Sequence, residues 1–158
     1  MSELLSSRRR FSTRLMIAAM GGLAACSTSA PPKRTAKPKP APDYPLSSAQ
    51  TERQYRADVA KHLYAHNHAR IYQGKLPPML YAIGVTRLSI SSQGEVLDID
   101  WMRRPKHAPE VIEEIERTIR AAAPLPVAPA LAHLSYTETW LWHRSGRFQL
   151  DTLTEGQS

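Results

Sequence analysis

The 158-residue chain has a single cysteine, Cys26, so no internal disulfide can form. It has no apolar run near the roughly 20 residues that a bilayer-spanning helix needs. Leu15 to Ala25 is the main candidate and is too short. A Gly-x-Ser-x-Gly elbow is absent, and Ser, His and Asp are too scattered to nominate a triad. No catalytic residue and no cofactor are therefore assigned, and the chain reads as a non-enzyme. The formal net charge of +7 is also thin where a nucleic-acid-binding surface would need it. Residues 1–25 hold four arginines and one glutamate, residues 26–43 hold four basic residues and one aspartate, and the remainder is close to neutral. No nucleic-acid partner is expected.

The N-terminal residues carry an address. Arg8, Arg9, Arg10 and Arg14 precede the apolar run, and the run ends in Leu23-Ala24-Ala25-Cys26. That segment resembles the lipobox of bacterial lipoproteins, in which small residues fit the processing enzyme and the thiol accepts a diacylglyceryl group. Residues 1–25 are read as a cleavable signal peptide and Cys26 as the lipid attachment site. Two or three acyl chains, such as palmitate, anchor stably where one binds only marginally. Ser27 after the cysteine implies the outer membrane in preference to the inner one, with the protein facing the periplasm of the cell envelope. Ser7-Arg8-Arg9-Arg10-Phe11 also resembles the twin-arginine export motif. The plainer reading is that these arginines only supply the positive charge of any signal peptide.

From Ser27 to Pro45 there are six prolines and no aliphatic residue larger than alanine, the composition of a linker. As polyproline II, at ~3.1 Å per residue, residues 31–45 would hold a domain roughly 45 Å from the membrane. Its basic residues Lys33, Arg34, Lys37 and Lys39 would meet anionic head groups or cell-wall polymer, or merely keep the linker soluble.

Residues 46–154 read as one α+β domain. Tyr55, Val59, Leu63 and Ile71 predict a helix over about 49–69, with Ser48 as its cap. Pro77 and Pro78 predict a loop. Between Ala82 and Met102 the period becomes two, with Thr86, Leu88 and Ile90 on one face of a strand and Leu97, Ile99 and Trp101 on one face of a second. Gly94 closes the hairpin between them, and Arg87, Ser89, Asp98 and Asp100 make the other face polar. Pro109 opens a helix whose stripe is Val111 or Ile112, Ile115, Ile119 and Ala122, with Glu113–Arg117 and Glu116–Arg120 as i, i+4 pairs. Ala123-Pro124-Leu125-Pro126 stops it. A third strand follows over about Leu134–His143, with Leu134, Tyr136, Trp140 and Trp142 on one face. A shorter strand follows at Phe148–Leu153. The expected architecture is helix, antiparallel hairpin, helix, then one or two strands, giving a three- to four-stranded antiparallel sheet with helices on one face.

The segment Gly84-Val85-Thr86-Arg87-Leu88-Ser89-Ile90, the turn Gly94-Glu95-Val96, Arg103-Arg104 and the helix exit Ala122-Ala123-Pro124-Leu125-Pro126 resemble, in order and spacing, the C-terminal domain of the TonB family and its TolA relatives. The resemblance covers residues 75–143. It implies a periplasmic domain that binds an extended segment of an envelope protein by adding it to a sheet edge. By position, that edge is Leu134–Trp142, with Ser135, Tyr136, Thr137, Glu138, Thr139 and Trp140 as the binding residues. Tyr136, Trp140 and Trp142 share one face and suit a core. Energy-transducing family members keep an uncleaved membrane helix, which this chain replaces with a lipobox. The strand at Phe148–Leu153 can also fold over the edge, and a second copy of the chain is the alternative occupant.

His62 and His66 stand i, i+4 on the first helix and are the weak metal candidates, lacking a fixed third ligand. The competing reading is an exposed polar face. Asp98 and Asp100 alternate with apolar neighbours and read as solvated.

Overall fold

A computed structural model describes residues 41–158; Arg8, Arg9, Leu23, Ala24, Ala25, Cys26 and most of the linker lie outside the described residues. The elements are α1 (Glu52–His66), β1 (Ala82–Ile90), β2 (Val96–Arg103), α2 (Pro109–Ala121), β3 (Leu134–Trp142) and β4 (Phe148–Leu150), with short 3-10 turns at His68–Arg70 and Asp151–Leu153. The four strands form one sheet in the order β2-β1-β3-β4, every pairing antiparallel. The fold is α+β, as the periodicity predicts.

Alternation sets the core. Ala82, Thr86, Leu88 and Ile90 of β1 and Tyr136, Glu138, Trp140 and Trp142 of β3 are buried on one face. Both helices lay their stripes on it, through Tyr55, Val59 and Leu63 of α1 and Val111, Ile115 and Ile119 of α2. Trp140 Nε1 donates to Thr86 Oγ1 (3.0 Å), so the one polar atom of the largest buried side chain is satisfied.

Four local expectations are corrected. The cap of α1 is Thr51, not Ser48: Thr51 is extended, and its Oγ1 accepts from Gln54 N–H. The helix accordingly begins at Glu52, and it ends at Asn67, whose backbone leaves the helical region. Leu97 is 64% exposed because the β1–β2 register slips between Ser89 and Ile90, pairing Ile90 with Val96 and leaving Leu97 as the extra residue of a bulge. The anticipated i, i+4 pairs on α2 do not form. Arg117 pairs with Glu114, which also holds Arg70 (3.0 Å), while Glu116 accepts from Trp101 Nε1 (2.8 Å) and faces Arg104. Tertiary partners take Glu116 from a pair worth only ~0.2–0.5 kcal/mol, while Arg117 takes the i, i+3 alternative on its own helix. Finally, β4 stops at Leu150, because the chain turns at Asp151 and Thr152 N–H reaches back to the Glu138 carboxylate (3.3 Å).

The described residues, 41–158, belong to one compact unit. Leu46 bridges Val127 in parallel, and the last residues pair with Leu76 through Leu76 N–H to Gly156 O (2.9 Å) and Ser158 N–H to Leu76 O (3.0 Å).

Candidate functional site at the free edge of β3

One side of β3 pairs with β1 along its whole length, but on the other side β4 covers only Trp140, Leu141 and Trp142. Among the described residues, no strand pairs with Leu134 to Thr139 on that side. In an antiparallel ladder, alternate residues turn both backbone groups to the same neighbour. Thr139 N–H donates to Glu138 Oε1 (2.9 Å) and so points away from β1. By alternation, Ser135 and Thr137 turn their N–H and C=O groups outward as well.

The six residues expected at the edge therefore divide. Ser135, Thr137 and Thr139 present outward backbone and side chains on the open face of the sheet. Tyr136, Glu138 and Trp140 have buried side chains, at 1%, 0% and 0% exposure, and their backbone groups serve β1. Trp140 also sits opposite Leu150 of β4. These three cannot touch an added strand through their side chains, which corrects their assignment as binding residues. Burial of the first and third follows from the aromatic stripe; burial of Glu138 does not.

Glu138 is a carboxylate on the core face, held by four donors. Tyr136 Oη donates to Oε2 (2.7 Å), while Arg56 Nη2 (2.9 Å), Thr139 N–H (2.9 Å) and Thr152 N–H (3.3 Å) reach Oε1. Arg56 also approaches Asp151 (3.5 Å). Burial opposes the Arg56 charge, but the hydrogen bond and negative charge of Glu138 outweigh it and keep the guanidinium pKa above its ordinary value. Burial and the adjacent carboxylate push the Tyr136 phenol well up, so it stays a donor. This network closes the edge at Thr139. Arg56 Nε and Thr152 Oγ1, beside it, are buried polar atoms without a hydrogen-bond partner.

Beyond that stop the edge opens into a groove of about 440 Å³, lined by Glu52, Arg53, Arg56, Arg87, Ser135 and Thr137. Helix α1 supplies one wall, and Arg87, opposite Thr137 in the β1–β3 register, comes from the open face of the sheet.

Two features escaped the sequence reading. β2 is the other edge of the sheet, with no strand on its outer side among the described residues. A larger groove of about 840 Å³ lies near its start, lined in part by Tyr44, Val96, Leu97 and Pro124. Asp43, Gln93, Glu95 and Arg120 also line that groove, with both signs of charge represented. Periodicity marks both runs as strands but says nothing of which sides are paired.

The histidines are brought together without a site. The rings of His62 and His66 lie 4.3 Å apart. His62 Nε2 donates to Ala122 O (2.8 Å) and His66 Nδ1 to His62 O (2.9 Å). Burial, aided by His66, lowers the His62 pKa against the opposing hydrogen bond to Ala122. Among the described residues, no three His, Cys, Asp or Glu converge as metal ligands, and no helix is long and apolar enough to cross a membrane. Set beside known protein families, characterised proteins and solved structures, the chain matches none of them.

Proposed function

We propose that this chain is a lipid-anchored, periplasm-facing envelope protein whose domain is a non-enzymatic receptor for an extended segment of another polypeptide, taken up by strand addition at β3. The observation that carries the reading is the stretch from Leu134 to Glu138, which no strand covers among the described residues and whose outward N–H and C=O groups at Ser135 and Thr137 border an open groove. A strand edge left bare invites unwanted pairing, and proteins ordinarily shorten, charge or cover it. Here the stretch beyond Thr139 is covered and the rest is framed by side chains from α1 and β1. The TonB-like order of sequence motifs supports the same use of the same strand.

The decisive variant is Thr137→Pro. It deletes one outward donor and no ladder bond to β1, and proline is tolerated on an edge strand whose N–H faces solvent. A photo-reactive side chain at Ser135, in the full chain in the bacterial envelope, should crosslink to a polypeptide. The yield should fall about five-fold or more with Thr137→Pro, since one such bond is worth roughly 1 kcal/mol. Equal capture with Thr137→Pro, or none in the parent, would remove strand addition at β3. For the anchor, Cys26→Ser should abolish palmitate labelling and release the protein from the membrane fraction; continued labelling would place the acyl group elsewhere.

A second reading is favoured by the free outer side of β2: copies of the chain associate edge to edge in the envelope. Light scattering across a concentration series separates the two, because a peptide receptor keeps a constant mass.

A further inference from the structure

We infer that the segment received at β3 is acidic. The inference rests on the reading of that edge as a strand-addition site and adds the chemistry of its occupant. An incoming strand turns alternate side chains to opposite faces of the sheet, and both faces of this groove present a cation. On the helix side stands Arg53 of α1, exposed; on the open face stands Arg87 of β1, exposed and opposite Thr137.

Among the described residues, neither guanidinium has a carboxylate oxygen within the 4.0 Å of an ion pair. Asp100 is the β2 register neighbour of Arg87, yet Arg87 Nη2 is turned to the Met102 sulfur (3.3 Å). Arg56, the third arginine of the groove, is already balanced by Glu138 and Asp151. The one acid in the lining, Glu52, lies in the first turn of α1, where the positive end of the helix offsets part of its charge. A row of glutamates or aspartates on either face of an added strand thus meets an arginine able to pair with it. A row of lysines meets repulsion on both faces.

The test titrates the full chain in neutral detergent with short labelled peptides that alternate valine with glutamate, lysine or serine. The glutamate peptide should bind about ten-fold or more tighter than the lysine peptide at low salt, with serine between, and the gap should narrow as salt screens it. Arg53→Glu with Arg87→Glu should invert the order, and Arg53→Gln with Arg87→Gln should flatten it; both positions are exposed, so the fold is retained. Equal affinity for the glutamate and lysine peptides, or an order unchanged by the double substitutions, overturns the inference. If the serine peptide binds, Thr137→Pro blocks it, and charge has no effect, strand addition stands and only acidic selectivity falls. If the glutamate peptide binds Thr137→Pro as well as the parent, or no peptide binds, both fall. Association of the chain with itself that excludes every peptide also overturns it.

Discussion

Replacing Glu138 by alanine is expected to lower the unfolding free energy by about 3 kcal/mol or more, because it leaves several donors without their acceptor and a buried one costs about 1–3 kcal/mol. The carboxylate is fully buried and serves four donors. Their fates differ once it is gone. Arg56 is 39% exposed and can turn to water and Asp151, so its share of the loss is small. Tyr136 is 1% exposed, and its hydroxyl loses its only partner, a penalty of about 1–3 kcal/mol. Thr152 N–H is released with it, which frees the turn that ends β4. Arg56→Ala should cost about 2 kcal/mol or more, since it leaves a buried carboxylate whose three remaining donors are neutral. The double variant should cost less than the sum of the singles, because the two residues share one network. Chemical unfolding measures all three, and a loss below about 1 kcal/mol for Glu138→Ala would mean that the carboxylate contributes no buried network.

Gly94→Ala should be nearly as damaging, at about 3 kcal/mol or more. Gly94 has φ +84°, and a Cβ there would press on the Leu125 carbonyl oxygen and lie 3.1 Å from Leu125 N and Pro124 Cβ. The obstacle is backbone that is itself bonded to the turn, since Leu125 N–H donates to Gly94 O (2.8 Å). Gly146 is the internal control: its φ is +79°, and nothing lies within 4 Å of a Cβ built there. Gly146→Ala should cost only the backbone term, about 1–2 kcal/mol. Thermal melts of the two variants compare strain with strain plus collision; equal losses would show that the Leu125 segment moves aside freely.

Gly94 also shows how far the sequence can be read. That a turn there needs positive φ is a local statement, and it could be made from Ser91-Ser92-Gln93-Gly94 alone. That the exit from α2 packs onto the same residue depends on chain some thirty positions away. The alternation of Leu88 with Arg87 and of Trp140 with Thr139 made the core face and the α+β class legible, because a half-buried strand imposes its period on its own residues. A register slip does not, so Leu97 passed for a core residue when the bulge had turned it to solvent. The same limit governed the edge. Tyr136, Glu138 and Trp140 alternate with Ser135, Thr137 and Thr139, but which set offers its backbone outward depends on which pairs bond β1 to β3. The Arg56–Glu138 bond joins residues 82 positions apart, and nothing near either residue announces the other. Glu138 on an aromatic face was the one available clue, since a lone acid on a buried stripe demands a partner.

The bridge between Leu46 and Val127 determines how the domain would bear a pull on its N-terminal side. Pro45 O accepts from Val127 N–H and Ser47 N–H donates to Val127 O, both at 2.9 Å. Because the two segments run parallel, tension drawn through Asp43 loads both bonds together along the chain instead of peeling them apart in turn. A pull from that side would therefore act first on the strap that follows α2.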